Sequence, residues 1–224
     1  SSDVCPSDLL DDVSIEVPKA KVVCVMGRNG VGKTTLMRNI VGLEKASKGT
    51  VTLDGRDITK TPARKRAQSG LALVPQGRMI FPRLSVKENL EVGLSARTDG
   101  VRSIPQEIYD LFPVLSDMGA RQGGNLSGGQ QQQLAIGRAL VGEPRVLLLD
   151  EPTEGIQPNV IQAIGQVLRR LVSEKEMTVV LVEQYVDFIK EFGDHFYIMN
   201  RGRVVADGDT PQLSEAIVRQ HLSV

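Results

Sequence analysis

Three short apolar runs stand out along the chain: Val22-Val23-Cys24-Val25-Met26, Val146-Leu147-Leu148-Leu149 and Thr178-Val179-Val180-Leu181-Val182. None alternates with polar residues. Each therefore predicts a strand buried on both faces, as in a parallel sheet covered by helices. Leu71-Ala72-Leu73-Val74 is a shorter run of the same kind and stops at Pro75-Gln76. Val160, Ile161, Ile164, Val167, Leu168, Leu171 and Val172 recur at helical spacing behind Pro158, which predicts an amphipathic helix between the second and third runs. Residues 13–17 alternate as a strand does, and Pro18-Lys19-Ala20 turns the chain into the first apolar run. Residues 49–56 predict a strand ending in an Asp54-Gly55 turn. Arg64-Lys65-Arg66 predicts a solvated helix face. Near the end, residues 196–199 and 203–206 predict a hairpin through Asn200-Arg201-Gly202, and Thr210-Pro211 predicts the N-cap and first turn of the last helix.

Between residues 81 and 140 the texture changes. Leu84, Val86, Leu90, Val92 and Leu94 give way to Ile104, Ile108, Leu111, Phe112 and Leu115, broken by Pro105 and Pro113, a pattern of short helices inserted between two parts of a sheet. Strands alternating with helices predict an α/β fold with a mostly parallel sheet, whose ligands sit beyond the carboxyl ends of the strands.

At 224 residues the chain fits one domain, residues 1–224, with the helical insert at 81–141 as a subdomain. Its 27 basic and 27 acidic side chains balance, which argues against nucleic acid as a partner. Two cysteines far apart, one of them inside an apolar strand, predict no disulfide framework and a reducing compartment. No apolar stretch approaches the roughly 20 residues of a membrane span, and no secretory pattern opens the chain. The first residue is Ser1 rather than Met, which admits processing.

The chemistry gathers where strands are predicted to end. Gly27-Arg28-Asn29-Gly30-Val31-Gly32-Lys33-Thr34-Thr35 lies between the first apolar run and a helix start, the setting in which a G-x-x-x-x-G-K-[ST] match means a phosphate-binding loop. Its glycines let backbone N–H groups point inward, and the helix N-terminus adds a positive field. Lys33 would reach the outer phosphates, and Thr34 would offer its hydroxyl to Mg²⁺. Asp150 suits the metal; Glu151, one residue further, suits the attacking water. Gln76 offers an uncharged oxygen to metal or water. Ser127-Gly128-Gly129-Gln130 is a second glycine-rich turn before a helix. A head-to-tail dimer could set it against the nucleotide of the opposite subunit.

In this order these motifs resemble the ATP-binding subunit of an ABC transporter, over nearly the whole chain after Asp12. Gly27-Arg28-Asn29-Gly30-Val31-Gly32-Lys33, the glutamine run Gln130 to Gln133 and Glu151-Pro152-Thr153-Glu154-Gly155-Ile156-Gln157-Pro158 resemble, more narrowly, urea-uptake members of the branched-chain amino acid importer group. The resemblance implies a P-loop NTPase of ABC ATPase type with a small N-terminal β part, and a helical subdomain ending in the signature motif at Ser127. It implies ATP and Mg²⁺ as cofactors, two membrane permease subunits, a second ATPase subunit and, indirectly, an extracytoplasmic solute-binding protein. It places the chain on the cytoplasmic face of the cell membrane, powering uptake of urea or a similar small amide, with branched-chain amino acids as the alternative. Residues Phe81 to Ser85 would lie near the surface that receives the permease. Three positions depart from the family pattern: Gln184 stands at the switch position, normally His, Gln157 stands where an Asp is usual, and residues 1–20 hold no aromatic to stack on adenine. Gln184, as the switch residue, motivates a reading of another class, a nucleotide-gated binding subunit with weak intrinsic hydrolysis.

Overall fold

The predicted apolar runs become neighbouring strands. The computed structural model describes residues 9–222. In chain order these residues form β1 (Val22–Met26), α1 (Lys33–Val41), β2 (Thr52–Leu53), β3 (Arg56–Asp57), α2 (Ala63–Gln68), β4 (Leu71–Val74), α3 (Val86–Gly93), α4 (Gln106–Leu111), α5 (Pro113–Asp117) and α6 (Gly128–Val141). Then follow β5 (Val146–Asp150), α7 (Pro158–Lys175), β6 (Thr178–Val182), α8 (Val186–Phe192), β7 (His195–Asn200), β8 (Arg203–Asp209) and α9 (Glu215–Leu222). Six strands make one sheet in the order β4-β5-β6-β1-β7-β8, and only β8 runs antiparallel, as the second arm of the predicted hairpin. The fold is of P-loop type, a mostly parallel sheet with helices on both faces.

Both faces are covered, which is why the central strands carry no polar alternation. Cys24, Met26, Leu147, Leu149, Val179 and Leu181 face the larger core, shared with α3 to α8. Val25, Leu148, Val180 and Val182 face a smaller one, closed by Leu36, Met37 and Val41 of α1. The α7 stripe is buried at Ile161, Ile164, Leu168, Leu171 and Val172, each such side chain contributing about 1.5–3 kcal/mol relative to exposure. Cys24 is a buried free thiol, and burial pushes its pKa up.

Register brings the carboxyl ends of the strands level. Asp150 pairs with Val182 and Val182 with Val25, so the residues that follow β5, β6 and β1 emerge along one edge. Val74 pairs with Leu149, and two residues further along Gln76 comes level with Glu151.

Four expectations need correcting. Residues 13–17 alternate in burial but form no strand: Val13, Ile15 and Val17 pack on the smaller core. The backbone of Glu16 is held by a side chain, its N–H donating to Tyr197 Oη at 3.0 Å and its carbonyl accepting from it at 3.1 Å. The β part near the N-terminus is thereby reduced to the β2–β3 hairpin, a pair of two-residue strands turning at Asp54-Gly55 with φ of 49° and 74°. Arg66 is no solvated face. It is 3% exposed and caps the C-terminus of α1, donating to the carbonyls of Asn39 and Ile40 at 2.7 Å each, and to those of Thr59 and Thr61 at 2.7 and 2.9 Å. Finally, Thr210 opens a one-turn 3₁₀ helix capped by Asp209, and α9 begins only at Glu215.

Candidate active site

The loop between β1 and α1 needs its glycines where the backbone is tightest. Gly27 has φ 148°, and a Cβ there would lie 2.5 Å from the Met199 carbonyl oxygen. Gly32 has φ 104° and sits at the N-cap of α1 without a side-chain cap, so the first amides of that helix find no partner from a capping side chain. Lys33 folds back over the loop. The residue is 5% exposed, and its ammonium donates to the carbonyls of Gly27 at 2.7 Å and Arg28 at 2.9 Å. Burial holds its pKa below the ordinary lysine value, against the nearby charges of Glu151 and Asp150.

The acids of β5 arrive from the far side of β6. Asp150 is 4% exposed, and its Oδ1 has no hydrogen-bond partner among the described residues. Burial raises its pKa and the Glu151 charge adds to this, while the Thr34 hydroxyl and the Lys33 charge oppose it. Glu151 leaves the strand in a left-handed conformation, φ 50°, which turns its side chain toward the loop. Its carboxylate lies 3.7 Å from Lys33 Nζ. The Gln184 amide donates to Glu151 Oε1 and to Asn29 Oδ1, both at 2.7 Å, so switch residue, acid and phosphate loop are joined directly. The Gln76 amide donates to Glu151 Oε2 and to Glu154, both at 3.1 Å. Lys33, Thr34, Asn29, Gln76 and Glu151 line one open cleft, with Leu9 of the N-terminal segment at its side.

Ser127-Gly128-Gly129-Gln130 is not part of that cleft. It lies instead beside Arg78 and the Gly155 carbonyl, and its own side chains cap α6: Ser127 Oγ accepts from the Gln130 N–H at 3.3 Å, and Gln130 Oε1 from the Ser127 N–H at 2.9 Å. Gln157 occupies the N-cap of α7 and makes no side-chain cap there.

Sequence reasoning passed over two residues at the site. Glu154 accepts from Gln76, and its carbonyl accepts from Arg78 at 3.0 Å. Glu183 is buried directly beyond β6 beneath Gln184. A carboxylate closing an unbroken apolar strand was the available signal, the same one that singled out Asp150.

A family profile described as "ABC transporter" matches residues 10–154. The chain belongs to the ABC transporter family of ATPases. Among its relatives, the high-affinity branched-chain amino acid transport ATP-binding protein BraG of Pseudomonas aeruginosa is 39% identical over 197 residues, covering 88% of this chain and 84% of the relative. A probable branched-chain amino acid transport ATP-binding protein, LivF, of Archaeoglobus fulgidus is 36% identical over 208 residues, covering 92% and 88%. Among solved structures, a nucleotide-free ATP-binding cassette superposes with a TM-score of 0.78 at 30% identity, covering 96% of this chain and 89% of that one. A dimeric cassette in a post-hydrolysis state bound to ADP and Pi superposes at 0.83 with 26% identity, covering 90% of each. The ABC ATPase described here has no helix, among the described residues, long and apolar enough to cross a membrane.

Proposed function

We propose that this ABC ATPase is the ATP-hydrolysing subunit of an importer, acting on the cytoplasmic face of the membrane with two permease subunits and a second ATPase subunit. An extracytoplasmic binding protein would deliver the solute. The observation that carries this reading is the convergence on Glu151: Lys33, Gln76 and Gln184 surround one carboxylate beside a buried Asp150 oxygen that lacks a partner. Residues 1–224 act as one nucleotide-binding domain, with 81–141 as its helical part. For the solute we put branched-chain amino acids ahead of urea, because the amino-acid reading has two named relatives behind it and the urea reading only short motifs.

Residues 27 to 32 and the N-terminus of α1 would wrap the triphosphate, and Lys33 would release its carbonyls to hold the outer phosphates. A hard cation suits Asp150 Oδ1, an orphaned anionic oxygen in a buried setting, with the Thr34 hydroxyl and Gln76 as further oxygen donors. Bound Mg²⁺ would supply charge neutralisation across the phosphates. Glu151 would accept a hydrogen bond, then the proton, from the attacking water as the water oxygen bonds to the γ-phosphorus and the bond from that phosphorus to the β,γ-bridging oxygen breaks, giving ADP and inorganic phosphate. Gln184 holds Glu151 to the loop and donates without ionising. It is thus part of the hydrolytic cluster, which counts against the weakly hydrolysing alternative. Ser127, Gly128, Gly129 and Gln130 would close on the nucleotide of the opposite subunit.

Uptake into vesicles holding this chain and its co-purifying permeases tests the assignment. Leucine should enter with ATP and not with Glu151→Gln; ATP-driven entry of urea but not leucine would reverse the choice of solute. Purification without any hydrophobic partner would remove the importer reading.

A further inference from the structure

Glu183 is the buried acid that the mechanism above leaves unused. It is 3% exposed, and each of its two oxygens meets two donors. Oε1 accepts from the Thr153 backbone N–H at 2.9 Å and the Thr153 hydroxyl at 2.6 Å. Oε2 accepts from the backbone N–H groups of Gln184 at 2.9 Å and Tyr185 at 3.2 Å. The two oxygens therefore serve two different loops. Thr153 lies two residues after Glu151, in a turn closed by the Glu154 N–H to the Glu151 carbonyl at 3.3 Å. Gln184 follows Glu183 directly, and its side chain meets Glu151 at 2.7 Å.

Burying a carboxylate is costly unless its lone pairs are met, and here four donors converge on it. We propose that Glu183 is a positioning residue for hydrolysis. Its carboxylate ties the turn that carries Glu151 to the switch loop that carries Gln184, and so fixes the separation of the base and the side chain that holds it to the phosphate loop. This rests on the proposed role of Glu151. A carboxylate is required because every contact is a donor; a carboxamide would turn its own NH₂ toward N–H groups. Movement of the 151–154 turn would be passed to the Gln184 backbone through this side chain, beside the direct bond between the Gln184 amide and Glu151.

The test uses the full chain and Thr153→Val, which deletes one hydroxyl donor, keeps the shape and leaves three of the four hydrogen bonds. The expected result is a loss of about tenfold in kcat, since small misplacements near reacting groups are amplified. ATP affinity should hold within about twofold and the melting temperature should stay near wild type. The deciding measurement is the double variant with Gln184→Ala. If Glu183 acts by placing Gln184, Thr153→Val costs less than about twofold once that side chain is gone, so the two losses do not add. Full additivity would reduce Glu183 to structural glue and overturn the proposal, as would an unchanged kcat in Thr153→Val alone. Normal hydrolysis by Glu151→Gln would instead remove the role of Glu151, and this inference with it.

Discussion

Two glycine-rich stretches open helices in this chain, and they are built oppositely. Gly27 to Gly32 is a loop leading into α1, whereas Ser127 to Gly129, expected as a turn before a helix, is the N-cap and first two residues of α6 itself. The first uses positive φ at Gly27, Gly30 and Gly32 and leaves the N-terminus of α1 without a side-chain cap. The second has no positive φ at Gly128 or Gly129, and its helix is closed by a reciprocal Ser127–Gln130 capping box. The amides of the first helix end are thus left for a ligand, and the first turn is completed in the same chain by Glu151, Gln76 and Gln184. The second turn meets part of its polar demand itself and lies apart from the cleft. At α1 the uncapped N-terminus coincides with a glycine-rich loop and the Lys33 ammonium, the combination that suits an anion. For Ser127 to touch nucleotide, another subunit must bring one.

The sharpest way to break this comparison is at the completed turn. Glu151→Gln keeps the shape but offers one accepting oxygen in place of two, so it can accept from only one of Gln76 and Gln184, and it removes the base. Turnover should fall by about 10²–10⁴-fold, the usual range for a positioned general base. ATP binding should persist and a nucleotide-bound dimer should accumulate on gel filtration. A variant with near-normal turnover would show that Glu151 serves geometry alone.

The next largest effect is expected behind the first turn, in what α1 stands on. The buried Arg66 guanidinium satisfies four carbonyls at once, and burial lowers its pKa. Arg66→Met would leave those carbonyls short of donors, a loss of about 3 kcal/mol given the usual cost of a buried unmet acceptor. A fall in the urea midpoint without a change in m would show it. Arg66→Lys should recover less than half, because an ammonium presents its donors from one point. This contact also marks the limit of what the sequence could tell. Strands appeared as unbroken apolar runs because both sheet faces are buried, and the strand-end acids showed for the same reason. Arg66 looked solvated because its partners at residues 39 and 40 belong to another helix, and pairing at that separation leaves no local pattern. Residues 13–17 looked like a strand because alternation reports one-sided burial, which an extended segment held by Tyr197 satisfies without a ladder. Glu183 was visible as a residue but not as a link, since its role lies in Thr153, thirty positions away.

The smallest effect belongs to the second turn and separates its two duties. Ser127→Ala removes the hydroxyl that accepts from the Gln130 N–H, so α6 loses a cap, for about 1 kcal/mol. In a domain of this size that lowers the melting temperature by about 2–4 °C. Because Ser127 stands outside the cleft that holds Lys33, nucleotide affinity of the monomer should not move, whereas ATP-driven dimerisation should weaken. Fluorescent-nucleotide titration at protein concentrations well below and well above the dimerisation range resolves the two. A loss of affinity already in the dilute monomer would mean that Ser127 reaches its own subunit's nucleotide, and the division between the two turns would fail.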